Sequence, residues 1–259
     1  MDMGLESLYV FTMLGGVAAG AYAFETGLRR RREGGRPWLV PLVVVILFAA
    51  GIVAAATHVH SIPRAIQSVV GGTVNFGSGM IREVLVAGCF MVLAAIDLVV
   101  TFVRKDSPYG LRVAGAVVGV VCMVMMGVAY TDVYGIAVWC DAPATILAFL
   151  AGDLAMGLAL FAVLGSEGYD GAVLRIVSFV VNAALAVGLV LEAVAFSNEG
   201  FDPASQIAAL VIAPIASAAL VALSPRIANK RAVAVAICVA AIVGVGISRY
   251  AFYATCTVA

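Results

Sequence analysis

The chain has 259 residues, 64% of them hydrophobic and 12% charged, with a mean hydropathy of +1.12. A soluble domain carries about twice that charged fraction, so the composition excludes an ordinary soluble globule. Lys plus Arg and Asp plus Glu both total 15, so net charge supports neither a nucleic-acid-binding protein nor a basic membrane-surface protein.

A bilayer core needs about 20 apolar residues per helix. Eight segments meet or approach that length: 8–27, 38–59, 84–103, 113–134, 142–164, 172–196, 207–223 and 232–253. The first follows an acidic start, Asp2 and Glu6, with no Lys or Arg before it. That is the wrong flank for a cleaved leader, so the segment is read as a retained span. The seventh is the shortest and contains Pro214. Between segments stand turn formers such as Gly34-Gly35-Arg36-Pro37, Asp106-Ser107-Pro108, Asp202-Pro203 and Ser224-Pro225. The apolar runs are continuous rather than alternating, which argues against barrel strands. The expected fold is therefore an all-α integral membrane protein, a single domain over 1–259 built as a bundle of eight transmembrane helices.

Arg29, Arg30, Arg31, Arg32, Arg36, Arg104, Lys105, Arg112, Arg226, Lys230 and Arg231 all fall on one side of such a bundle. Loops on the other side carry only Arg64 and Arg82. The bias of Lys and Arg toward cytoplasmic loops then puts both termini on the outer face. The cluster from Arg29 to Arg36 reads as a topology determinant and a contact for anionic membrane lipid. Nothing else in the chain supports nucleic acid.

Cys89, Cys122, Cys140, Cys238 and Cys256 stand singly, without a Cys-x-x-Cys spacing, so no iron–sulfur cluster or Cys-rich zinc site is expected on this chain. Its two histidines, His58 and His60, lie at i and i+2 in one segment and cannot ligate a haem across a bundle. Neither haem nor another metal is expected.

What remains is acid–base and hydrogen-bond chemistry. His58, His60, Ser61, Arg64, Arg82 and Glu83 gather at the junction of the second and third spans, at the outer face. Oxidising a quinol removes two electrons and two protons. A histidine with an ordinary pKa of about 6.5 suits the first proton acceptance, and a carboxylate such as Glu83 can pass the proton to outer water. Arg64 or Arg82 can stabilise negative charge developing on the ring oxygen. The same histidines also suit a plain structural role, capping the second span in the interfacial belt.

Asp97, Asp132, Asp153, Arg175, Glu192 and Arg249 fall in or near the spans, where each is costly unless it faces the interior, a partner or the interface. Asp153, the deepest, fits either a proton pathway shared with Asp97 or an inter-helix ion pair with Arg249 or Arg175. Gly15-Gly16 with Gly20, and Gly244 with Gly246, read as close-packing surfaces.

The run Thr57-His58-Val59-His60-Ser61-Ile62-Pro63-Arg64-Ala65, followed by Ser78-Gly79-Met80-Ile81-Arg82-Glu83-Val84, resembles the membrane anchor subunit of dimethyl sulfoxide reductases. The stretch from Tyr130 to Trp139 and the ending Ser248-Arg249-Tyr250-Ala251-Phe252-Tyr253 resemble the family as well. The family is similar in role to polysulfide-reductase-type anchors. The resemblance implies a haem-free subunit that oxidises a quinol, menaquinol by expectation, during anaerobic respiration. It also implies two partners, a four-cluster ferredoxin-like iron–sulfur subunit and a molybdopterin catalytic subunit that carries the terminal reductase activity. The location implied is the prokaryotic cytoplasmic membrane. By this resemblance His58 is the quinol-site histidine and Glu83 its carboxylate. His60 stands where the family commonly has Gly, and Pro63 is displaced from the usual Ser-Pro. The rival reading is a secondary transporter built around an intramembrane carboxylate, supported by Asp153 and the Pro-bearing seventh span.

Overall fold

The computed structural model of the protein describes residues 5–32, 36–58, 67, 71–72, 74–133, 135–165 and 169–257, with the side chains of Leu5 and His58 outside that description. Among these residues there is no strand, and eight helical segments are long and apolar enough to cross a membrane.

In chain order the helices are α1 (Leu5–Leu28), α2 (Leu39–His58), α3 (Gly79–Arg104), α4 (Tyr109–Thr131), the short α5 (Ala137–Cys140), α6 (Ala142–Leu164), α7 (Ala172–Asn198), α8 (Ala204–Leu210), α9 (Ala216–Leu223) and α10 (Lys230–Ala254). α8 runs through a π-helical turn, Val211–Ile215, into α9, so the two form one span. Pro214 lies inside that turn. It lacks an N–H to donate, and the wider turn accommodates the missing bond.

Local chemistry sets several ends. Asp141 accepts the Ala144 N–H at 3.2 Å to open α6, and Asn229 accepts the Ala232 N–H at 3.0 Å to open α10. Lys105, at φ 66°, closes α3 in the left-handed conformation. The third span begins at Gly79, five residues before the expected 84, which puts Arg82 and Glu83 in its first turns rather than in a loop.

Consecutive spans alternate in direction. The loops after α1, α3, α6 and α9 meet at one end, here the basic face. The end of α2, the start of α3, the end of α4, the start of α8 and the end of α10 meet at the other, here the histidine face.

The eight spans form two units of four, and the second repeats the first. α1 packs on α2 and α4, and α3 on α2 and α4; in the same way α6 packs on α7 and α10, and α8–α9 on α7 and α10. The sequence carries a trace of this. Gly15, Ala18, Gly20 and Phe24 of α1 recur at one constant offset as Gly152, Ala155, Gly157 and Phe161 of α6. At the same offset Val40, Val43, Val44, Ala49, Gly51, Val53 and Ala56 of α2 become Val177, Val180, Val181, Ala186, Gly188, Val190 and Ala193 of α7. Equivalent glycines make equivalent contacts. A Cβ on Gly51 would meet Phe11 at 3.4 Å, and one on Gly188 would meet Ala148, the counterpart of Phe11, at 3.0 Å. Close glycine contacts also join the other helices of each unit: Gly119 faces Phe90 in the first, and Gly244 faces Ala213 in the second.

The units meet where α1 crosses α6. Gly20 and Gly157, counterparts in the repeat, lie against each other backbone to backbone, and a Cβ on either would overlap the other helix. Small residues permit this approach, and dispersion between closely set backbones holds helices together in lipid. α1 and α6 run in the same direction, so the repeat axis follows the long axis of the bundle, as in transporters built from parallel repeats. The two units share one interior: Phe149, Phe252 and Tyr253 of the second pack with Tyr22, Phe90 and Tyr130 of the first.

Replacing Gly157 by Val forces a branched side chain into the α1 backbone. We expect a loss of stability at or beyond the upper end of overpacking costs, about 3 kcal/mol, read as a large fall in Tm in detergent. Gly27→Ala, where a Cβ meets nothing within 4 Å, leaves Tm within a degree or two of the parent (about 0.5 kcal/mol at a permissive surface site).

Candidate functional site

One face of α3 is buried along its length: Gly79, Glu83, Ala87, Phe90, Ala94, Asp97 and Thr101. This i, i+3/i+4 stripe presents a carboxylate near each end, about 21 Å apart, with only Ala and Phe between them. The two ends are handled differently.

At the basic face Asp97 is fully enclosed and gripped by Arg32, whose Nη1 and Nη2 donate to the two carboxylate oxygens at 3.0 and 2.7 Å. Arg32 also donates to Glu25 at 2.7 Å and Thr101 at 2.8 Å, and Ser107 donates to Asp97. Arg112, itself without exposure, donates to the backbone carbonyls of Arg29 at 2.6 Å and Arg30 at 3.2 Å. Burial works against charge on Arg32, but hydrogen bonds and charges from Asp97 and Glu25 outweigh it and hold its pKa above the ordinary guanidinium value. Arg32 is thus a buried plug, while its neighbours Arg30 and Arg31 stay exposed.

At the histidine face Glu83 is buried, 7% exposed, and its Oε1 has no hydrogen-bond partner among the described residues. A buried carboxylate oxygen left bare is costly and marks a place where another group belongs. Gly79, one turn earlier, abuts Ala129 and Asp132 at the end of α4, so this stretch of α3 lies against the end of α4 that bears Tyr130. The charge of Glu83 reaches Tyr130 and Tyr253, and that of Asp153 reaches Glu83. Arg82 points the other way and makes an exposed, 3.3 Å ion pair with Asp132.

Behind Glu83 lies a network drawn from both units. The Tyr253 hydroxyl donates to that of Tyr130 at 2.6 Å and shares a 3.2 Å bond with Thr12. Arg249 donates to the carbonyls of Thr12 at 2.7 Å and Phe149 at 3.0 Å, pairs with Asp153, and lies 4.4 Å above the Phe149 ring. Ser248 donates to buried Glu192. The indole N–H of Trp139 reaches the Phe252 carbonyl at 2.9 Å and Thr255 at 3.0 Å, and its ring stacks on Phe252.

Of the residues singled out in the sequence, Glu83 lies on the inner face and Arg82 beside it on the outer one. His58 is the last residue of α2, and His60, Ser61 and Arg64 lie outside the described residues. Asp153 has Arg249 as its partner, one of the two candidates. Asp97 sits at the opposite end of the bundle, bound to Arg32. No carboxylate, histidine or cysteine group among the described residues has the arrangement of a metal site. Sequence reasoning missed Thr12, the Tyr130–Tyr253 bond and the burial of Arg32. The first two depend on contacts between units, and the third was hidden in a run of four arginines.

A family model for the DMSO reductase anchor subunit (DmsC) matches residues 1–254. The chain belongs to that family. Membership and eight apolar helices together make it a multi-pass membrane protein, the membrane anchor of a DMSO reductase complex that associates with catalytic and iron–sulfur subunits. No curated protein matches it significantly.

Within the anchor, the buried Arg249–Asp153 pair is costly to break on one side only. Asp153→Ala leaves the Arg249 guanidinium buried without its carboxylate, and we expect a loss of about 3–5 kcal/mol. The double change to Asp153→Ala and Arg249→Met removes the orphaned charge and recovers part of that loss, a non-additivity that chemical unfolding of the four proteins measures.

Proposed function

We propose that this anchor binds and oxidises a quinol, menaquinol in our reading, at the histidine face, which we place outside the prokaryotic cytoplasmic membrane. The observation that carries the proposal is the bare, buried oxygen of Glu83 at the start of α3, in the span next to the one that His58 ends.

A quinol presents a phenolic O–H, and Glu83 Oε1 is an acceptor with no donor to it among the described residues. His58 takes one proton and Glu83 relays protons to outer water, while two electrons leave for the iron–sulfur partner; the quinol becomes a quinone. Iron–sulfur clusters on that partner, four in a ferredoxin-like arrangement, supply the electron path, and molybdopterin on the catalytic subunit supplies the reduction. His60, Ser61 and Arg64 bind the ring from the connecting segment, and Arg82, at the solvent edge, lends positive charge to the developing anion. Asp153, the carboxylate a transporter would use, is tied to Arg249, which favours the anchor over the transporter.

The test is Glu83→Gln in the assembled complex. Quinol-driven reduction falls by about 10²-fold or more, the usual worth of a positioned acid–base group. Reduction driven by an artificial donor that bypasses the quinol stays at the parental rate. Unchanged quinol-driven turnover removes Glu83 from the chemistry.

A further inference from the structure

The basic face holds a feature that quinol chemistry does not use. A cavity of about 370 Å³ opens between the end of α1, the end of α6 and the start of α7, lined by Arg29, Phe161, Val173 and Leu174 among others. A second, of about 400 Å³, lies on the other side of the α6 terminus and is lined by Lys230 and Arg231. Ala162 and Gly165 border both.

In the first unit this end of the bundle is closed by its own charges, Arg32 on Asp97 and Glu25. At the repeat offset the counterpart of Arg32 is Tyr169, and that of Glu25 is Ala162. Tyr169 is buried in the apolar interior of the second unit and brings no cation or carboxylate to it. The polar part of the second unit's end therefore lies at its rim, where Arg29 is held half-buried with its guanidinium 5.0 Å over the Phe161 ring. Arg29 has no carboxylate partner among the described residues. Lys230, by contrast, is engaged with Asp170 at 2.9 Å and with the Ser224 carbonyl at 2.8 Å.

We propose that the first cavity binds the phosphodiester head group of an anionic phospholipid, with Arg29 as its cation. Three further observations fit that chemistry. The N–H groups of Ala172, Val173 and Leu174, which line or border the cavity, open α7 without a side-chain cap at Gly171. Such groups are free donors for a phosphate oxygen. Below the cavity, Val173, Ile176 and Val180 form an exposed apolar stripe on α7 along which an acyl chain can lie. Finally, the cavity sits at the terminus of three spans, the depth at which head groups lie. A free phosphate would use Arg29 and the amides but not the stripe.

The test uses the full chain in nanodiscs holding equal phosphatidylglycerol and phosphatidylcholine, with retained lipid counted by native mass spectrometry. We expect one phosphatidylglycerol kept in preference to phosphatidylcholine. In Arg29→Gln that preference drops about fivefold, the usual worth of one basic residue near anionic lipid. Arg104→Gln, which removes a cation of the same face outside the cavity, leaves it unchanged. Val173→Trp, which fills the cavity and keeps Arg29, also abolishes the preference and stands in if Arg29→Gln fails to fold. Equal retention of both lipids, or equal loss in Arg104→Gln, overturns the proposal. Displacement of the lipid by millimolar inorganic phosphate, with phosphate adducts in its place, assigns the pocket to the free ion and overturns the lipid reading.

Discussion

Two backbones touch at the centre of this protein, and most of the remaining architecture depends on that contact. In lipid there is little hydrophobic drive between spans, so helices are held by close packing and polar contacts. Gly20 on Gly157 sets α1 and α6 so close that a Cβ on either would overlap the other helix, and Gly16 then lies directly over Asp153. The same closeness lets one residue of α10, Arg249, reach a carbonyl of α1 and both a carbonyl and a carboxylate of α6. A larger residue at either glycine would part the helices and take the Thr12 carbonyl of α1 out of reach of Arg249. Packing and electrostatics are thus one device at the centre.

The chain affords few charges, and it concentrates the buried ones in two knots. The knot at the basic face ties the first loop to α3 and α4 through Arg32 and Arg112, and both of its carboxylates, Glu25 and Asp97, are paired with Arg32. The knot at the histidine face is left incomplete, because among the described residues Glu83 has no ion pair and keeps a bare oxygen. Between the two carboxylates of α3 the buried stripe is apolar. The two units share a scaffold but not its charges: Glu83, Asp97 and Arg32 belong to the first, and the counterpart of Arg32 in the second is Tyr169. The second unit instead contributes Arg249 and Tyr253, which brace the first from across the crossing.

Much of this was legible in the sequence. Continuous apolar runs gave eight spans, and the interior glycines of α1 and α10 pointed to the helix contacts that Gly20 and Gly244 make. The cost of a charge in lipid made Arg249 one of the two ion-pair partners expected for Asp153, and Arg249 is the partner it has. Other features were not legible for physical reasons. Helix starts are set by capping and by neighbours, so α3 begins a turn before its apolar run and carries Glu83 inside the bundle. A run of arginines looks uniform in sequence, yet burial singles out Arg32 because Asp97 and Glu25 await it. The repeat is carried mostly by Gly, Ala and Val, residues so common here that only the equivalent contacts make the correspondence plain. Tyr130 and Tyr253 lie in different units, and no local pattern joins them.

The account rests on Glu83 as the group that receives the ligand at the histidine face. The measurement that bears on it most directly is titration of a fluorescent quinol analogue into membranes holding the anchor with its partner subunits, beside Glu83→Gln and His58→Leu at equal abundance. Saturable binding in the parent that weakens in both variants is the result the account predicts. Binding of equal strength in all three would contradict it, and would place the quinol away from α3.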